Sequence, residues 1–302
     1  MPDGFINILK PPGLTSHDVV VYVRRLLGLK RVGHSGTLDP LASGVLVVAV
    51  GRATRLIRYL RNDKVYRAEI TFGRSTTTMD AAGRVVRDVP RPVGRQELEN
   101  TLASFCGCIS QIPPMVSAVH HQGKRLYELA REGLEVERKP RWVEVKRLDL
   151  LGFQGDNHYP KALIEVECSA GTYVRVLADD IGTELGCGAY LSFLLRTASG
   201  PFRVEASITL EELAAAVQDE NWAWLISPQK ALEQLPIIRL EPLAAKQFSN
   251  GQAVSLSDVE GQHLVPGSLC IVEEHQGVFL GVARCVERKY SVRLAQPEVV
   301  FN

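Results

Sequence analysis

Cysteine is scarce in this chain: six in 302 residues, at 106, 108, 168, 187, 270 and 285, with no C-x-x-C pair. Cys106 and Cys108 alone cannot complete a zinc site, and no H-x-x-x-H or H-E-x-x-H supplies partners. No structural metal is expected, and the cysteines read as reduced and mostly buried. No apolar run approaches membrane-spanning length. The start, Met1-Pro-Asp-Gly-Phe, lacks the basic and apolar blocks of a secretory signal. These absences set the expectation of a cytoplasmic protein with no membrane contact. G-x-x-x-x-G-K-[ST] and G-x-G-x-x-G are missing too, which removes the common phosphate cradles. Gly33-His-Ser-Gly-Thr approaches the G-x-S-x-G nucleophile elbow, but Thr37 stands at the last glycine position and an apolar strand follows in place of a helix. A glycosidase pair would need a second acid, for which only Asp80 offers itself. No cofactor signal remains, and none is expected.

What is present is an ordinary globular composition, 45% apolar and 23% charged, long enough for a large core and two domains. Net charge is only +1, yet it is unevenly placed. Residues 1–75 hold 12 Lys/Arg against 5 Asp/Glu, and residues 205–302 hold 7 against 13. The basic first quarter suits a polyanionic partner such as RNA or DNA, with a solvated face offset by acidic neighbours as the alternative.

That quarter contains Gly33-His-Ser-Gly-Thr-Leu-Asp-Pro-Leu-Ala-Ser-Gly44, followed by the apolar run Val45–Val50. The arrangement mounts one carboxylate, Asp39, in a Gly-bounded turn just before a buried strand. Gly33, Gly36 and Gly44 admit backbone conformations that a Cβ would hinder, and Pro40 keeps Asp39 out of the helical region. A loop on a rigid strand presents a reactive side chain well; an Asp before Pro also simply starts turns.

The periodicity predicts strands at 5–9, 45–50, 64–72, 142–153 and 161–168, and helices at 18–27, 95–105, 176–186 and 209–217. Thr15 or Ser16 is the predicted cap of the first helix. Arg52, Arg55, Arg58 and Arg61 would form a basic stripe on a helix, a candidate phosphate track. Residues 112–141 read as an irregular exposed arm. After about 235 the texture becomes short β-like runs, predicting a small all-β domain. In Cys168-Ser-Ala-Gly-Thr-Tyr-Val-Arg, an extended 172–176 would put Tyr173 and Arg175 on one face, about 7 Å apart, as a base-stacking and acid-neutralising pair.

These segments resemble the TruB family of tRNA pseudouridine-55 synthases. The resemblance is carried by Lys30-Arg-Val-Gly-His-Ser-Gly-Thr-Leu-Asp-Pro-Leu-Ala-Ser-Gly-Val-Leu, Lys10-Pro-Pro-Gly-Leu-Thr-Ser-His-Asp, Lys64-Val-Tyr and Thr78-Met-Asp-Ala-Ala-Gly. Ile112-Pro-Pro-Met-Val-Ser-Ala-Val, Gly123-Lys-Arg-Leu-Tyr, Gly171-Thr-Tyr-Val-Arg and Leu194-Leu-Arg-Thr continue it in family order. Leu9 departs from the pattern, since many members carry Asp there.

The resemblance implies an α+β pseudouridine synthase fold, a mixed and largely antiparallel sheet flanked by helices, with a C-terminal PUA-like small β-barrel. Residues 1–235 would be the catalytic domain, with an RNA-gripping arm near 112–141, and 236–302 the RNA-binding domain. The implied activity is conversion of uridine to pseudouridine at position 55 in the tRNA T-arm, with base flipping. Asp39 would be the essential nucleophile or acid–base group, kept ionised by an adjacent Arg, with Arg175 its partner. Tyr66 would stack on the uracil and take a proton in the final step. Tyr173 and Leu194 would line the pocket, Asp80 would join the network around Arg175, and His34 would fill the space left by the flipped nucleotide. Lys10 and Lys64, in matching segments, are further substrate-binding candidates. A monomer acting on tRNA without an obligate protein partner is expected. A non-catalytic RNA-binding protein or tRNA folding chaperone, and a guide-RNA-dependent relative, are the alternatives.

Overall fold

Apolar alternation and β-branched runs dominate the chain, and a nine-stranded sheet is the main result. The computed structural model describes residues 3–117, 119–121, 123–155, 158–256, 264–288 and 292–301. Strand β1 (Gly4–Lys10) leads to helix α1 (Ser16–Leu26). Its cap is Thr15, whose Oγ1 accepts from the Asp18 amide at 3.0 Å while the Asp18 carboxylate accepts from the Thr15 amide at 2.8 Å. Then come β2 (Val32–His34), β3 (Ser43–Val50), a 3₁₀ helix (Gly51–Tyr59) and β4 (Lys64–Phe72). The hairpin β5 (Arg74–Thr76) and β6 (Val85–Asp88) precedes helix α2 (Arg95–Ser104) and β7 (Gly107–Gln111).

The arm is less irregular than expected. It contains the hairpin β8 (His120–His121) and β9 (Lys124–Arg125) and the short helix α3 (Leu126–Arg131). Ala118 and Gln122 of the expected arm lie outside the described residues. The sheet resumes with β10 (Arg141–Gln154) and β11 (Lys161–Cys168), then helix α4 (Val174–Glu184), β12 (Ala189–Ser199) and β13 (Phe202–Arg203). Helices α5 (Leu210–Gln218) and α6 (Pro228–Ala231) follow.

The sheet runs β1-β3-β12-β4-β11-β10-β7, with β2 paired to β3 and β13 to β12. Every pairing in it is antiparallel except β12 with β3. That junction brings Leu195 opposite Ser43 and Arg196 opposite Gly44. Gly44 has φ +111, and a Cβ there would sit 2.2 Å from the Arg196 carbonyl oxygen. Only glycine lets the two strands approach this closely.

Residues from 237 on form a second, curled sheet: β14 (Ile237–Leu240), β15 (Val254–Ser255), β16 (Leu269–Glu274), β17 (Phe279–Arg288) and β18 (Val292–Val300), in the order β14-β16-β17-β18-β15. The all-β expectation is corrected by helix α7 (Pro242–Ser249), which buries Ala245 and Phe248 against the sheet's apolar face.

Strand β3 is buried on both faces, which explains its unbroken apolar run. Leu46, Val48 and Val50 face the core beneath the helices. Val45, Val47 and Ala49 face a second core shared with Ile271, Phe279, Val282 and Val299 of the second sheet. The 3₁₀ helix sits in this seam, burying Ala53 and Leu56.

Its basic stripe is therefore a correction. With three residues per turn Arg52, Arg55 and Arg58 fall in one row that stitches the seam, while Arg61 lies past the end of the helix. Arg52 pairs with Asp3 at 2.6 Å and lies 5.0 Å from the Phe301 ring centroid. Arg55 donates to the Val300 carbonyl at 2.9 Å, Arg58 pairs with Glu298 at 3.5 Å, and Arg61 with Asp63 at 2.8 Å. One C-terminal acid, Glu298, thus meets the basic first quarter directly. Of the cysteines, 168, 187, 270 and 285 are buried, and 106 and 108 are exposed. No helix among the described residues is long and apolar enough to cross a membrane.

Candidate active site

The Asp39 loop is pinned from three sides before any substrate arrives. From α1, Ser16 Oγ accepts from the Leu38 amide at 2.8 Å and donates to the Leu38 carbonyl at 3.1 Å. From the end of β1, Lys10 Nζ donates to the carbonyls of Leu14 at 2.7 Å, Pro11 at 2.8 Å and Pro40 at 3.3 Å. From β12, Arg196 donates to the carbonyls of Val45 at 2.6 Å, and of Gly36 and Thr37 at 3.3 Å each. Gly36 has φ +97, which turns its carbonyl inward. Of the loop's glycines, Gly33 departs from expectation: it lies in β2, outside the positive-φ set, and a Cβ there would make ordinary contact with Ile57.

So held, Asp39 meets Arg175 at the start of α4. Arg175 Nε lies 2.7 Å from Oδ2, and Nη2 donates to Oδ1 at 3.2 Å. The guanidinium, 3% exposed, also donates to the Thr78 carbonyl at 3.2 Å and the Val116 carbonyl at 3.0 Å. Asp80 completes the group, 3.6 Å from Arg175 Nη1. Its Oδ1 accepts from Thr78 Oγ1 at 2.5 Å and from the Ala82 amide at 3.0 Å.

Burial pushes the Asp39 carboxyl above its ordinary value; Arg175 pulls it down and Asp80 pushes it up again. Arg175 is thus one of several influences on its ionisation. A third of the side chain, 34%, remains open to the cleft.

A cleft of about 300 Å³ opens over this pair, lined in part by Asp39, Lys64, Tyr66, Ser117, Tyr173, Leu194 and Arg196. Tyr66 is 8% exposed and hydrogen-bonded to Arg196; burial raises its hydroxyl pKa, so it is protonated at neutral pH. Lys64 donates from Nζ to Ser199 Oγ at 2.7 Å, and burial lowers it to about 8. One carboxylate, an aromatic ring and flanking cations meet in one recess. This can stack a planar base and do acid–base or nucleophilic work on it.

The model of the TruB family pseudouridylate synthase N-terminal domain matches residues 24–174, and that of the tRNA pseudouridylate synthase B C-terminal domain matches 175–234. The chain belongs to the TruB family. The tRNA pseudouridine synthase B of Moorella thermoacetica is 50% identical over 303 residues, 99% of each chain. That of Symbiobacterium thermophilum is 53% identical over 253 residues, 83% of each. Among solved structures, a Cbf5-Nop10-Gar1 complex gives 28% identity and a TM-score of 0.76, covering 99% of this chain and 85% of that one. An archaeal box H/ACA Nop10-Cbf5 complex gives 27% and 0.73, covering 99% and 86%.

Within this TruB-family site, the structure brings Asp39, Arg175, Tyr66, Lys64, Tyr173 and Leu194 together and reaches Asp80 through Arg175. The extended 172–176 segment is corrected: Tyr173 caps α4 and Arg175 lies in its first turn. Gly171, at φ +89, redirects the chain, and buried Gln111 holds Tyr173 by its amide at 3.0 Å and its carbonyl at 3.3 Å. Lys10 and His34 do not line the cleft. Lys10 is fully buried beneath the loop. His34 sits on β2, where burial lowers its pKa and keeps the ring neutral.

Sequence reasoning missed Arg196, 1% exposed and central to the loop's support. The signal was present in Leu194-Leu-Arg-Thr, whose apolar member alone was singled out. Gln111 and Ser117 were missed as well.

Proposed function

We propose that this chain is a cofactor-independent isomerase converting uridine to pseudouridine at position 55 in the T-arm of tRNA. Membership of the TruB family, and relatives named tRNA pseudouridine synthase B, support the reaction and the substrate class. The observation that carries the reading at the level of residues is the Asp39–Arg175 pair at the floor of a cleft with Tyr66 on its wall.

The reaction breaks the N1–C1′ bond, turns the base and forms a C5–C1′ bond. The C5 proton leaves and N1 gains one, so substrate and product are isomers. Asp39 acts at the ribose or the base as nucleophile or acid–base group, with Arg175 fixing its orientation and charge. Tyr66 stacks on the uracil, and in the last step its oxygen takes the C5 proton as its own hydroxyl proton passes to water, with the Arg196 cation favouring the phenolate character this needs. Leu194 and Tyr173 shape the recess, Lys64 adds positive potential, and Asp80 steadies Arg175. His34 acts outside the recess, in the gap left by the extruded nucleotide. Lys10 serves by holding the loop.

Extrusion is required because a stacked uracil hides its glycosidic carbon, at a cost of a few kcal/mol. Stacking on an aromatic ring returns roughly 1–3 kcal/mol. The arm near 112–141 grips the T-arm. Residues 1–235 form the catalytic domain, and 236–302 a PUA-like domain holding RNA outside the site. The protein works as a cytoplasmic monomer without an obligate partner.

The test is to map pseudouridine in a tRNA transcript incubated with the purified chain. Modification confined to position 55, lost in Asp39→Asn, is expected. Absence of pseudouridine, or its persistence in Asp39→Asn, refutes the reading.

A further inference from the structure

We propose that Ser117 hydrogen-bonds the edge of the extruded uracil, making the arm a wall of the active site as well as a grip. This rests on the pseudouridine-forming reading above.

Ser117 is 6% exposed, and its Oγ is a buried polar atom with no partner among the described residues. A buried hydroxyl without a partner is unfavourable, so its retention calls for a reason. It lines the same cleft as Asp39 and Tyr66. Its backbone leaves it little freedom: the Ser117 amide donates to the Met115 carbonyl at 3.0 Å, and its carbonyl accepts from the Tyr127 amide at 3.1 Å. The preceding carbonyl, Val116, accepts from Arg175 Nη2 at 3.0 Å. The arm is thereby tied directly to the guanidinium that holds Asp39.

A hydroxyl both donates and accepts, and uracil offers both kinds of partner on its edge: two carbonyl oxygens and N3–H. Asp39 and Arg175 satisfy each other, and Lys64 is taken by Ser199. Ser117 is thus a polar residue on the cleft wall whose hydroxyl has no partner among the described residues. Being on the arm, it reaches this position only when the hairpin and α3 are docked as seen, which couples base recognition to the grip on the RNA.

The experiment compares wild type, Ser117→Ala and Ser117→Thr. It reads single-turnover pseudouridine formation on a tRNA transcript, thermal melting, and affinity for a T-arm stem-loop that is abasic at the target nucleotide. Ser117→Ala should lower the rate at subsaturating RNA about five- to tenfold, the worth of one neutral hydrogen bond. Its melting temperature should be equal or higher, because a partnerless buried hydroxyl is removed, and its affinity for the abasic RNA should be unchanged. Ser117→Thr, which keeps the hydroxyl, should retain more activity than Ser117→Ala. An active wild type matched by Ser117→Ala overturns this proposal alone. So does a lowered melting temperature with an unchanged rate, or an equal loss of affinity for the abasic RNA. A wild type that forms no pseudouridine overturns the broader reading, and this one with it.

Discussion

Replacing Arg196 by Met tests whether Asp39 is positioned by a buried cation on a neighbouring strand. The guanidinium is 1% exposed and serves three carbonyls, at 2.6, 3.3 and 3.3 Å. Met fills similar volume but donates nothing, leaving the Val45, Gly36 and Thr37 oxygens short of a donor. An unmet buried acceptor costs about 1–3 kcal/mol, with the two longer bonds at the low end. Relief of the buried charge offsets part of this. A net loss of about 3 kcal/mol is expected, or roughly 5–10 °C in melting temperature for a chain of this size.

The catalytic loss should be larger in proportion. The loop would keep Ser16 and Lys10 but lose its β12 anchor, and a displacement of about 1 Å at a reacting group costs on the order of 100-fold. Single-turnover pseudouridine formation at saturating tRNA reads that loss, while RNA affinity should change little because Arg196, at 1% exposure, offers RNA almost no surface. Arg196→Lys keeps the charge without the planar fork and should fall between the two. A variant that melts lower but reacts within about twofold of wild type would show that Asp39 is placed without Arg196.

Three further outcomes follow from the same geometry. Gly44→Ala places a Cβ 2.2 Å from the Arg196 carbonyl at φ +111, so the β3–β12 junction must open; the purified variant should melt well below wild type, and an unchanged melting curve refutes the register. Activity should fall as pH drops through the Asp39 pKa, which burial raises and the Asp80 charge raises further. Asp80→Asn should therefore move the acid limb of the single-turnover profile to lower pH, and a limb that stays or rises contradicts the electrostatics. Burial lowers Lys10 from 10.5 to about 8, so the folded chain releases that proton before the unfolded chain does. Stability owed to this group rises as pH climbs from 8 toward 10.5, so the denaturant-measured stability of wild type relative to Lys10→Met should grow by roughly 2–3 kcal/mol across that window.

Local pattern carried much of the fold. The β-branched run at 45–50, the Thr15–Asp18 box before α1 and the alternation in β4, β10 and β11 each sit close to where they were expected. These signals involve residues a few positions apart, so they survive without the rest of the molecule. Where a β-branched stretch and a helix compete, as at Thr172-Tyr-Val-Arg-Val, propensity pointed to a strand. The turn at Gly171, Gln111's hold on Tyr173 and the apolar face of α4 decided for a helix. The arginine row after β3 read as an RNA track because two of its partners, the Glu298 carboxylate of Arg58 and the Val300 carbonyl of Arg55, lie some 240 residues away.

The sequence by itself determined the one carboxylate of a glycine-bounded loop, the family to which that loop belongs and the strands that carry it. Tertiary structure alone decided what surrounds the acid. Lys10 turns its amine under the loop, and Arg196 crosses from a strand about 150 residues later to hold the same backbone. Ser117 arrives on the arm with its hydroxyl unspent. Each depends on long-range packing that brings distant segments within 3 Å or so. Such contacts leave no periodicity in the chain, because their partners are chosen by the sheet order and not by spacing along the sequence.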